Sequence, residues 1–224
     1  MRSQGSRGAG FSIDHGVEVK ATLHRTDEGD SWKMSGIAPD RPRPLQAPKP
    51  PVISVVDMHG EHIENTDLYL DFLQACRAAT LLRPEEWVDV KVRLECPTSQ
   101  GFGMSAAGLI GLGKAVHALT GRGRLVQYLK IAHRIERVHG AGLGDVLGAS
   151  VGGVELRRAP GAPGWPGEAV GFACDAKVLL IWNPHEERHT SIYIDDPEWQ
   201  RSITVAGNAC VDILASGAWG ADRW

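Results

Sequence analysis

An α+β fold is what the sequence predicts, on three observations. Two segments alternate apolar and polar residues with a period of two, Val17-Glu18-Val19-Lys20-Ala21-Thr22-Leu23 and Trp87-Val88-Asp89-Val90-Lys91-Val92-Arg93-Leu94, as half-buried strands do. Leu68, Phe72, Ala75, Ala79 and Leu82 recur at helical spacing within Asn65 to Leu82. Hairpin-like and strand-to-helix segments then follow one another without a strict βα repeat, which separates this pattern from a parallel α/β fold.

In chain order, Gly5 to Gly10 is a glycine-rich opening, followed by the strand at Val17 to Leu23. Residues 38 to 51 carry six prolines and read as a loop or extended linker. Val52 to Val56 reads as a strand, Asn65 to Leu82 as a helix and Trp87 to Leu94 as a strand. A glycine-rich turn leads into helices over roughly Ser105 to Leu119 and Leu125 to Val138. Val151 to Arg157 and Lys177 to Trp182 read as strands, joined through the Gly/Pro-rich Pro160 to Gly167. Asp196-Pro197-Glu198 is a helix start, with the helix running to about Leu214.

The chain has 224 residues, is 42% hydrophobic and 23% charged, and carries a net charge of −3. That composition suits a globular protein with a real core, and no basic excess points to nucleic acid. The longest dense apolar stretch, Val178 to Trp182, is far too short to span a bilayer, and the N-terminus lacks a signal peptide's apolar core. Cys76, Cys96, Cys174 and Cys210 stand far apart without a CxxC pair, so neither a zinc site nor a disulfide framework is suggested. The expectation is a soluble, cytoplasmic protein of a reducing compartment with no nucleic-acid or membrane partner, and a homodimer stays open.

Pro97-Thr98-Ser99-Gln100-Gly101-Phe102-Gly103-Met104-Ser105-Ala106-Ala107-Gly108 is the most informative stretch. It follows a strand and opens a helix, where glycines admit a bulky anion and the helix N-terminus offers unpaired N–H groups. Ser105 can give a hydroxyl to a phosphate or its metal. No lysine stands where a Walker A motif has one. The plain alternative is a tight strand-to-helix turn. A dinucleotide fingerprint also fits Gly101 to Ala106, but the acidic strand end it requires about 20 residues on is replaced by Thr120-Gly121-Arg122-Gly123-Arg124.

Pro97 to Ala107 resembles the phosphate-binding motif of the GHMP kinase superfamily, P-x-x-x-G-L-G-S-S-A-A, with Phe102 for Leu and Met104 for the first Ser. The wording is most similar to archaeal pantoate kinases, in Gly5-Ser6-Arg7-Gly8-Ala9-Gly10, Gly101 to Gly108 and Gly142-Leu143-Gly144-Asp145-Val146. The resemblance implies a ribosomal-protein-S5-like ATP-binding domain over residues 1–158 and an incomplete ferredoxin-like domain over 170–224. It implies a chain truncated at both ends, since the family carries a strand before the first motif and further elements after the last.

It implies ATP- and Mg²⁺-dependent phosphorylation of pantoate to 4-phosphopantoate, towards coenzyme A. Pro97, Gly101, Phe102, Gly103, Met104, Ser105, Ala106 and Ala107 would hold ATP, Ser105 and Glu136 would hold Mg²⁺, and Asp145 would be the base. Arg7, among small residues, is the candidate clamp for the pantoate carboxylate, because a guanidinium fork matches a carboxylate. Mevalonate or shikimate as acceptor, and a nucleotide-binding fragment without turnover, are the alternatives. Without the resemblance, Glu136 between Arg134 and Arg137 is equally a solvated helix face, and Asp145 a turn former.

His185-Glu186-Glu187-Arg188-His189 matches the zincin motif H-E-x-x-H, which must lie on a helix. Pro184 before it and Ser191-Ile192-Tyr193-Ile194 after it favour an exposed loop instead. His59-Gly60-Glu61-His62 reads as a surface turn, and the scattered Trp32, Trp87, Trp165 and Trp199 as anchors, not a base-stacking platform.

Overall fold

Residues 4–26, 49–183 and 195–217 are described in a computed structural model of the chain. The alternation predicted for the middle of the sequence builds the central strand. In β5 (Glu86–Leu94), Glu86, Val88, Val90, Val92 and Leu94 are buried and the residues between them are not. β5 pairs antiparallel with β2 (Val17–Arg25) and parallel with β3 (Ile53–Val56). β3 takes the short β4 (His62–Ile63) on its other edge, giving the order β2-β5-β3-β4.

The helices are α1 (Asp67–Ala78), α2 (Met104–Thr120) and α3 (Leu125–Val138). Phe72, Leu73 and Cys76 from α1, Leu109, Leu112 and Val116 from α2, and Tyr128, Ala132 and Ile135 from α3 join the β5 valines in one core. α2 lies flush on the sheet and on its neighbours because two glycines remove side chains at the contacts. A Cβ on Gly111 would come within 2.8 Å of Val19 Cγ2, and one on Gly113 within 3.1 Å of Tyr128 Cβ.

A second sheet has the order β1-β6-β7, from β1 (Gly8–Phe11), β6 (Val154–Ala159) and β7 (Glu168–Phe172), all antiparallel. The glycine-rich opening is thus a strand, and its glycines answer charged side chains on β6. A Cβ on Gly8 would meet Arg157 Nη2 at 2.7 Å, and one on Gly10 would meet Glu155 Oε1 at 2.8 Å. α4 (Asp145–Val151) packs beside this sheet, and α5 (Pro197–Ala215) covers it through Leu156, Val211 and Leu214. Asp196 caps α5 by accepting from the backbone N–H groups of Glu198 (2.8 Å) and Trp199 (3.2 Å).

Two expectations are corrected. Val151 ends α4, and Gly152 at φ +70 turns the chain, so the strand begins at Val154. Lys177 to Trp182 forms no strand; Glu168–Phe172 pairs with β6 instead. An apolar β-rich run satisfies strand propensity, but a strand also needs a ladder partner, and β6 already has one on each edge. Most of the proline-rich segment and the whole H-E-x-x-H stretch lie outside the described residues.

Candidate functional site

The chain leaves β5 through buried Cys96 and passes over Pro97 to Gly103 into α2. Gly101 (φ +80) and Gly103 (φ +66) adopt the left-handed conformation, and a Cβ on either meets nothing within 4 Å. Open space therefore lies against this backbone. Gly103 is the N-cap of α2 and has no side chain with which to cap it. The first helical bond, from Ala107 N–H to Gly103 O, spans 2.9 Å, so the N–H groups before it lack intrahelical partners. Uncapped N–H groups, a positive helix end and an unfilled cradle suit an oxyanion such as a phosphate. Met104 and Ala106 are buried and anchor the turn beneath it, with Ala107 partly buried.

Ser105 stands in the first turn of α2, and its hydroxyl reaches towards Glu136 on α3. Glu136 is 1% exposed, and neither carboxylate oxygen has a hydrogen-bond partner of good geometry. Burial pushes its pKa up to about 7; the Ser105 hydroxyl opposes this and the Asp145 carboxylate adds to it. Asp145, the first residue of α4, is likewise raised by burial and opposed by Arg157. Both carboxylates border Gly142, where a Cβ would lie 2.6 Å from Asp145 Oδ2 and 3.0 Å from Glu136 Oε2. Glycine at 142 keeps this space open.

An orphaned carboxylate at that depth is costly unless a cation meets it. Hard oxygens from Glu136 and Ser105, with the Asp145 carboxylate nearby, suit a small divalent ion that retains water and phosphate ligands. Among the described residues no group of three or more His, Cys, Asp or Glu side chains could hold a metal by itself, so protein ligands there are few.

Several residues at this centre escaped sequence reasoning. Arg157 of β6 has 13% of its side chain exposed, and its Nε lies 3.4 Å from Glu155 Oε1 without a hydrogen bond. A Cβ on Gly144 would collide with Arg157 Nη1 and Ser6 Oγ, which places the guanidinium beside the start of α4. Glu155 is buried, with Oε2 unpartnered. His133, one turn before Glu136 on α3, is 2% exposed and meets Gln4 O through Nε2 at 2.8 Å. Tyr69 of α1 is buried near Glu136 and lies against Gly108. The one sequence signal for Arg157 is a charged, alternating strand, Glu155-Leu156-Arg157, facing a strand of glycines.

Arg7, the expected clamp, is engaged elsewhere. It donates to Arg158 O (3.0 Å), Asn208 Oδ1 (2.8 Å) and Asp212 Oδ1 (2.8 Å), tying β1 to α5. Side chains of adjacent strand residues face opposite ways, so Arg7 lies on the α5 side of this sheet while its neighbour Gly8 faces Arg157.

Residues 71–153, which contain the loop, Ser105, Glu136 and Asp145, match the family description "GHMP kinases N terminal domain". By this match residues 71–153 form a GHMP kinase N-terminal domain, and the α+β fold agrees with it. Relatives of the chain include pantoate kinases. That of Thermococcus kodakarensis is 33% identical over 180 residues, which cover 79% of this chain and 51% of that protein. That of Methanocaldococcus jannaschii is 27% identical over 126 residues, covering 56% and 45%. The chain spans about half the length of the curated relatives it matches. A solved structure described as a phosphotransferase related to the CoA biosynthesis pathway superposes over 99% of this chain and 64% of its own, with a TM-score of 0.66 at 23% identity, and so shares the fold.

Proposed function

We propose that this chain carries the nucleotide and acceptor site of a small-molecule kinase that transfers the γ-phosphoryl group of ATP to a hydroxyl of pantoate, giving 4-phosphopantoate and ADP. The observation that carries the reading is the convergence of Ser105, Glu136 and Asp145 beside an uncapped, glycine-lined helix N-terminus. The names of the pantoate kinase relatives support the choice of acceptor.

The N–H groups at the start of α2 bind the phosphates, with Gly101 and Gly103 leaving room for them. Ser105 and Glu136 would hold Mg²⁺, which supplies charge neutralisation on the phosphate oxygens when bound. Asp145 accepts a hydrogen bond from the acceptor hydroxyl, orients it towards the phosphorus and takes its proton as the new O–P bond forms. Burial favours the protonated form of Asp145 and so makes it a better base than an exposed aspartate. Arg157, next to Asp145 and largely out of bulk water, would supply the guanidinium for the acceptor's carboxylate. A cleft of about 260 Å³, lined in part by His15, Met58, Cys96 and Pro97, adjoins the loop at Pro97 and offers the base of the nucleotide an apolar seat.

The test is a coupled ADP-release assay with Mg²⁺ and ATP against pantoate, mevalonate, homoserine and shikimate. Turnover with pantoate alone is expected. Turnover with another acceptor alone would reassign the substrate. ATP binding without turnover on any acceptor would leave a nucleotide-binding module.

A further inference from the structure

Beyond β7, over residues 173–183, the chain joins neither sheet, and part of it borders this cleft. Its side chains alternate as a strand's do. Val178, Leu180 and Trp182 line the cleft, opposite His15, Met58, Glu95, Cys96 and Pro97. Leu179 and Ile181 face outward, 83% and 80% exposed. The far end of the segment is fastened to the phosphate loop itself. The Trp182 ring meets Phe102 edge-on, with centroids 6.1 Å apart and planes at 88°. Gln100 Nε2 donates to Asn183 O at 3.1 Å.

The 260 Å³ cleft is slightly smaller than pockets that take a drug-sized ligand, which run to about 300–1,000 Å³, and suits one flat heteroaromatic ring system. It shares Pro97 with the phosphate loop, so a ligand with an aromatic base at one end and phosphates at the other fits both. We propose that Trp182 is the aromatic wall against which the nucleotide base packs, which makes the 173–183 strap part of the nucleotide site. The inference rests on the reading that the Pro97–Gly108 loop holds the phosphates.

An indole face adds dispersion and π contact that aliphatic walls do not provide, and such contacts tolerate any base. The edge contact with Phe102 fixes the plane that the indole presents.

Calorimetry on the intact chain tests this, with MgATP and inorganic tripolyphosphate as the two probes and Trp182→Ala and Trp182→Phe as the variants. Trp182 is 39% exposed and belongs to neither packed core, so both variants should keep the wild-type thermal midpoint. Trp182→Ala should weaken ATP about tenfold, the scale of one lost base–aromatic stack. Trp182→Phe should stay within about threefold of wild type, and tripolyphosphate affinity should be the same in all three proteins. Unchanged ATP affinity in Trp182→Ala would overturn the proposal. Equal losses for ATP and tripolyphosphate would also overturn it, by making Trp182 a prop for the loop. If wild type binds tripolyphosphate as tightly as ATP, the cradle stands and the base wall falls. If it binds neither, the phosphate reading fails and takes the wall with it.

Discussion

Glu136 and Asp145 share a space that cannot comfortably hold two bare carboxylates, and each is held towards its neutral form by burial. Asp145→Asn removes the proton acceptor but keeps size and polarity. It should lower kcat by about 10²–10⁴-fold with little change in ATP affinity. It should leave the thermal midpoint near that of wild type, because burial already holds the Asp145 carboxyl towards its neutral form; a lower midpoint with a matching loss of activity would indicate a turn-forming role for Asp145. Gly103→Val places a β-branched side chain at φ +66, in the open space the phosphates would use. ATP binding by calorimetry should be lost, with a modest drop in midpoint from strain of about 1–3 kcal/mol. The two arginines separate cleanly by position. Arg157→Met should raise the acceptor KM at least about tenfold, the scale of a lost charge-assisted hydrogen bond, whereas Arg7→Met should leave that KM unchanged.

At the scale of elements, one ion-pair clamp holds the α2–α3 turn to the start of β5. Glu86 has no exposed surface, and Arg122 grips it with Nη1 to Oε2 at 2.5 Å and Nη2 to Oε1 at 2.7 Å. Arg25 Nε adds a bond to Oε1 at 2.9 Å and the Arg83 N–H one to Oε2 at 3.0 Å. The hydrogen bonds from Arg122 lead in holding the Glu86 carboxyl down at about 2. A depressed carboxylate pKa stabilises the fold above the unfolded-state value and loses that contribution as pH falls through the folded-state value. Stability should therefore fall as pH drops from about 5 to about 2. Water near the half-exposed Arg25 screens the clamp, which leaves a contribution of about 2 kcal/mol. Glu86→Gln should flatten this part of the acid-denaturation curve, measured as denaturant midpoint against pH.

For the whole molecule, the packing is uneven. The sheet β2-β5-β3-β4 with α1, α2 and α3 encloses a large core, while β1, β6 and α5 share a small cluster around Leu156, Val211 and Leu214. The first half of α5 is exposed, and Arg7 bonds Asn208 and Asp212 in its second half. Leu156 is fully buried, so Leu156→Ala should cost about 2–5 kcal/mol locally. Hydrogen exchange should show α5 and β1 losing protection while β5 and α2 keep theirs. Uniform loss across both sheets would mean that the two cores unfold as one.

The elements set by local pattern were legible in the sequence. α3 begins and ends at the expected Leu125 and Val138, α5 starts at its Asp-Pro cap, and β5 follows its alternation. The glycine-lined strand-to-helix turn before α2 was legible too, because its requirement for glycine is a backbone property of a few adjacent residues. The carboxylates were visible as residue types, and the family resemblance supplied their roles. Tertiary structure alone decided that Arg157, not Arg7, faces Asp145, since that choice depends on which face of β1 meets β6 across about 150 residues of sequence. It also decided that Glu168–Phe172 pairs with β6 while Lys177 to Trp182 joins neither sheet. Strand propensity and apolar content are carried by each segment, but a ladder partner and a buried charge's neighbours are supplied from elsewhere in the chain, and only the folded molecule assigns them.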